Sequence, residues 1–146
     1  MSWYPRKSVV VPIDFSASSP EAVQTAIDLV DDRANVHVLH VLIPLEIVSP
    51  GMVFGGMTDS GREEHARKYA EQFMKEHDFE GVDFEVRIGH PGEIVAQYSE
   101  AREADLIVIP SHGYHGLKRF VLGSVAEYVI EHADCPVLVL RRTDAE

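Results

Sequence analysis

At 146 residues, with 45% hydrophobic and 25% charged side chains, the chain has the size and composition of one globular domain, which excludes disorder and fibrous repeats. Its formal charge of −11 repels phosphodiester backbones and anionic membranes, so nucleic acid is excluded as a partner class, whereas a small phosphate held at a helix start is not. A single cysteine allows no internal disulfide and no stretch approaches the roughly 18 apolar residues of a membrane span, both of which fit a cytoplasmic protein without membrane insertion.

The opening MSWYPRKSVVVPID has a basic pair before an apolar run, but the run is short and meets Asp14, so it reads as no secretory leader. Its β-branched part, Ser8 to Asp14, predicts a buried strand. SSPEAVQTAIDLVDD follows, with Ser19 as N-cap, Pro20 at the first helical position and Val23, Ala26, Ile27 and Val30 on one face. Asn35 to Pro44 predicts a second strand. The connection from Pro44 to Asp59 is rich in Gly and Met and unusually apolar, and reads either as a loop packed on the body or as a lid over a ligand.

Arg62 to His77 predicts a helix with Ala66, Tyr69, Ala70, Phe73 and Met74 inward. VDFEVRIG alternates, with Val82, Phe84, Val86 and Ile88 on one side and Asp83, Glu85 and Arg87 on the other, as in an edge strand with one wet face. PGEIVAQYSEARE gives a helix starting near Pro91, with Ile94, Val95 and Tyr98 inward. DLIVIP gives a fourth strand, the stretch around Ser124 a fourth helix, and CPVLVLRR a fifth strand, in which Cys135 is a buried small hydrophobe. Strand and helix alternate to the end, which implies a single domain with an open parallel sheet and helices on both faces. In such sheets ligands sit beyond the carboxyl ends of the strands, where Asp14, the end of HVLIP and the PSHG turn all fall.

That turn carries the chemistry. Pro110 ends its strand because it has no N–H for the ladder, Gly113 and Gly116 permit a close backbone approach, and Ser124 followed by Glu127 predicts a capping box. Two readings share these atoms: free N–H groups and Ser124 Oγ at a helix start suit a phosphate, or the capping box satisfies them internally. No G-x-G-x-x-G and no G-x-x-x-x-G-K-[ST] is present, so neither a dinucleotide fingerprint nor a P-loop is supported.

The stretches VVVPIDFSASSPEA, VHVLHVL, GHPGEIV, DLIVIPSHG and GLKRFVLGSVAEYVIEHADCPVLVLRR together resemble the universal stress protein family over nearly the whole chain. The resemblance implies a Rossmann-like sheet of order 3-2-1-4-5 and a homodimer formed through the last strand, with Val137, Val139 and Arg141 at the interface. Nucleotide-binding members carry G-x-x-G-x(9)-G-[ST]. Here Gly113, nine residues from Tyr114 to Leu122, and Gly123-Ser124 match, while Pro110 replaces the first glycine. A ring there removes an N–H and crowds the ribose and phosphates, which weakens or alters binding without excluding it. By the same resemblance Asp14 sits at the ribose, Pro12 and Val41 border the adenine, Ser111, His112, Gly113 and Gly116 line the phosphates, and Ser124 and Val125 supply backbone donors.

The spacing of dedicated zinc sites is missing, so the expected ion is magnesium carried by ATP or a related adenine nucleotide. No G-x-S-x-G elbow and no water-activating base presents itself. The expectation is a cytoplasmic, nucleotide-dependent dimeric switch acting on an unknown protein partner. A nucleotide-free interaction module and an adenylyl or phosphoryl transfer enzyme stand as the alternatives.

Overall fold

A computed structural model describes residues 3–45, 58–111 and 122–141. Five strands, β1 (Val9–Pro12), β2 (Val36–Leu42), β3 (Asp83–Ile88), β4 (Leu106–Pro110) and β5 (Val137–Leu140), form one sheet of order β3-β2-β1-β4-β5. Every neighbouring pair is parallel. Among the described residues run the helices α1 (Ser19–Asp28), α2 (Asp59–Glu76), α3 (Pro91–Ala101) and α4 (Ser124–His132), with a short 3-10 turn at Arg33–Asn35. The fold class and strand order are those expected, and β3 is an edge strand as its alternation implied.

Strand alternation divides the core. Val9 and Val11 of β1 face α1 and α2, joining Val23, Ala26 and Phe73, while Val10 faces the other way and joins Val95, Tyr98 and Val129 of α3 and α4. The central strands β1 and β4 read as continuous apolar runs because both of their faces are covered. On the second face α3 and α4 approach so closely that a Cβ on Gly92 would lie 2.7 Å from Tyr128 Cγ. Only glycine fits that crossing.

Several local expectations are corrected. The residue at the α1 boundary is Ser18 and not Ser19, and it makes no side-chain capping bond: its hydroxyl pairs with Ser16 Oγ at 2.9 Å, while the buried Ser19 donates its own to Asp14 Oδ1 at 3.3 Å. α2 begins at Asp59, earlier than Arg62, since Thr58 caps it by accepting from Gly61 N at 3.0 Å and Asp59 accepts from Leu45 N at 3.1 Å. Tyr69 is 51% exposed instead of inward, its ring edge against Phe15 at 4.9 Å. Gly123, not Ser124, is the N-cap of α4, and among the described residues no side chain caps that helix. Cys135 is half-buried, and burial with Asp105 and Asp134 nearby pushes its thiol pKa up. Among the described residues no helix is long and apolar enough to cross a membrane. The lid expectation for Pro44 to Asp59 falls largely on residues 46–57, outside the described residues.

Candidate functional site

At the carboxyl edge of the sheet, where the chain order turns from one side of β1 to the other, lies a cavity of about 460 Å³. That is the position at which open parallel sheets bind ligands, and the volume is within the range of small-molecule sites. Pro12 and Asp14 enter it from the end of β1, Val41 from β2, Pro110 and Ser111 from the end of β4, and Gly123, Ser124 and Val125 from the start of α4. The structure thus gathers every candidate binding residue that it describes. His112, Gly113 and Gly116 lie outside the described residues.

Asp14 is pinned at the mouth. Its Oδ1 accepts from Ser16 N at 2.9 Å, closing a local Asx turn, and from Ser19 Oγ. Burial pushes its carboxyl pKa up, but the Ser16 and Ser19 hydrogen bonds outweigh this and hold it below its ordinary value of 3.8. An ionised acceptor therefore stands at the cavity at neutral pH. The next residue, Phe15, adopts φ +62°, an uncommon conformation for a bulky side chain, and its ring packs on His40 at 4.6 Å and on Phe73 at 5.5 Å.

Across the cavity, Gly123 N donates to Ser111 O at 2.8 Å and Ser111 N donates to Leu140 O at 3.0 Å, tying α4 to the ends of β4 and β5. The first bond within α4 runs from Glu127 N to Gly123 O at 2.9 Å. The N–H groups of Ser124 and Val125 stand ahead of it, with no capping side chain among the described residues, and the helix dipole places partial positive charge on them. The arrangement supplies anion donors at one wall, an anionic acceptor at another, and apolar surface from Pro12, Val41, Ile109 and Val95 between them.

His40 escaped the sequence reading. It lines the cavity and its Nδ1 donates to Ile13 O at 2.8 Å, so in the neutral ring Nε2 is the acceptor. The available signal was its place beside Val41 near the carboxyl end of β2. Pro91 and Val95, from the first turns of α3, were likewise unforeseen as lining residues.

The universal stress protein family model matches residues 5–141. The chain belongs to the universal stress protein family. Universal stress protein MJ0531 of Methanocaldococcus jannaschii is 34% identical, over 96% of this chain and 85% of its own length. The solved structure of a second protein of this family from that organism, MJ0577, superposes with a TM-score of 0.79 at 30% identity and covers 99% of this chain and 100% of its own. A universal stress protein solved in complex with cAMP shares the fold, with a TM-score of 0.54 and 24% identity over 93% of this chain and 97% of its own.

Proposed function

We propose that this universal stress protein binds ATP or a related adenine nucleotide, with magnesium carried on its phosphates, and acts in the cytoplasm as a dimeric regulatory switch toward a protein partner. The observation that carries the reading is the single cavity joining Asp14 to the uncapped start of α4. In this reading the Asp14 carboxylate accepts from ribose hydroxyls, Val41 and Pro12 flank the base, and the N–H groups of Ser124 and Val125 donate to phosphate oxygens. Gly123 lets the phosphates approach the backbone. His112, Gly113 and Gly116 would complete the phosphate wall. A family fold solved around cAMP supports an adenine nucleotide as the ligand class.

Hydrolysis is slow or absent in this reading. Asp14, with its lowered pKa, is a weak base at neutral pH. Dimerisation uses β5, an open edge strand on which Leu138 is 37% exposed, with Val137, Val139 and Arg141 beside it.

Calorimetric titration with ATP and magnesium, and with AMP and cAMP in parallel, tests the binding. Micromolar affinity, on the order of −8 kcal/mol, is expected for at least one of them. Gly123→Val should abolish the heat while leaving the far-ultraviolet circular dichroism intact. Unchanged affinity in that variant would remove the ligand from this cavity. Silence of the wild-type chain toward all three, confirmed by equilibrium dialysis, would leave the nucleotide-free interaction module, a reading that Pro110 at the cavity wall favours.

A further inference from the structure

The groove between the edge strand β3 and α3 takes no part in the chemistry described above. It is a cavity of about 350 Å³ lined by Arg87 of β3, by Ile94, Gln97, Tyr98 and Ala101 of α3, and by Arg102 at the end of that helix. The helical residues recur at i, i+3, i+4, i+7 and i+8, so a single stripe of α3 forms the floor. Both guanidiniums lie over the Tyr98 ring, with Cζ 5.3 Å from its centroid for Arg87 and 4.8 Å for Arg102. In a chain where 24 acidic residues outnumber 13 basic ones, this convergence sets two cations side by side.

Donors outnumber acceptors there. A guanidinium carries several N–H donors and no acceptor. Glu85 receives both arginines on one oxygen, its Oε2 lying 3.1 Å from Nη2 of Arg87 and 3.1 Å from Nη2 of Arg102. The neighbouring carboxylate, Asp83, is engaged by His37 Nδ1 at 2.9 Å. Tyr98 adds a third donor: the residue is 3% exposed, its Oη is closed to solvent, and no group among the described residues accepts its proton. Its hydroxyl sits beside Arg102, which can only donate, and burial pushes its pKa up to about 12, so the proton stays on. A buried hydroxyl with no acceptor is disfavoured in a resting core and is explained where a ligand uses it.

We propose that the β3–α3 groove binds a phosphate-bearing small molecule: Arg87 and Arg102 grip the oxyanion, Tyr98 Oη donates a further bond, and Glu85 is the internal anion that the ligand displaces. Three donor groups suit a tetrahedral phosphate better than a planar carboxylate, which offers two oxygens. Ile94 and Ala101 give the apolar part of an ester a surface to rest on.

The test titrates the whole chain with inorganic phosphate, and with acetate in parallel, for the wild type and for Arg87→Gln, Arg102→Gln, Glu85→Gln and Tyr98→Phe. Phosphate should bind more tightly than acetate. Either arginine variant should weaken it about tenfold, the scale of a lost charge-assisted bond. Glu85→Gln should tighten it severalfold by removing the competitor. Tyr98→Phe should weaken it severalfold without lowering the melting temperature, because the lost hydroxyl had no acceptor in the free protein. That last variant keeps the site testable should an arginine variant fold poorly. Phosphate affinity indifferent to Glu85→Gln and Tyr98→Phe would overturn the proposal, any heat then belonging to the sheet-edge cavity. Acetate binding as tightly as phosphate would overturn the ligand class.

Discussion

Asp14 holds a loop and faces a cavity with the same carboxylate. Ser16 N and Ser19 Oγ bind the ionised form, so its folded pKa lies below the unfolded one, and the stabilisation it gives is complete above the unfolded value near 3.9 and disappears as pH falls through the folded value. Asp14→Asn should accordingly lower the melting temperature at pH 7, with the gap to wild type closing below roughly pH 3.9. Thermal melts at pH 7, 5 and 3 would show it. A gap constant across that range would mean that the shape of the loop and not the charge is what matters. Asp14 was legible in the sequence because it follows a buried strand at the carboxyl edge of the sheet, where open parallel sheets bind ligands, and its place at the ribose came from the resemblance. His40 was not, because what holds it at the cavity is a hydrogen bond to the carbonyl just beyond the end of β1, and no spacing along β2 records that contact.

At the scale of elements, the helix boundaries separate what local sequence determines from what tertiary contacts decide. Both Ser18 and Ser19 precede Pro20 and are equal capping candidates by composition. Asp14 captures the Ser19 hydroxyl and leaves Ser18 at the boundary. The Ser124/Glu127 pair has the capping-box spacing, yet α4 starts a residue earlier because Gly123 is anchored to Ser111 O, which puts Ser124 inside the first turn. Thr58, by contrast, makes its capping bond. Thr58→Ala should cost about 1 kcal/mol of stability, whereas Ser124→Ala should stay within about 0.5 kcal/mol of wild type. Denaturant melts of the two variants read this directly, and a Ser124→Ala loss equal to that of Thr58→Ala would restore the capping box. The absence of that box leaves the α4 donors to a ligand, so the same error about a boundary bears on the reading of the cavity.

For the whole molecule, the alternation of strands and helices carried the class of sheet, because apolar runs such as VVVP and LIVIP imply strands covered on both faces. Alternation does not carry strand order. The order came from the resemblance, and the pairing of β1 with both β2 and β4 bears it out. Assembly is the property least visible in either. β5 is short and apolar and lies at an open edge, a combination that invites pairing with another strand unless something blunts it. Val137 and Val139 pack against the core cluster that contains Val129, so a charge at either would damage the fold as well as an interface. Leu138 points away from that cluster and is the cleaner probe. If β5 pairs with its counterpart in a second copy, Leu138→Lys should convert a dimer into a monomer at micromolar concentration in sedimentation velocity, with the melting temperature of the monomer falling only by the stabilisation that the lost contact supplied. A Leu138→Lys chain that still sediments as a dimer would place the interface elsewhere, and a wild-type chain that sediments as a monomer would take the dimer out of the switch.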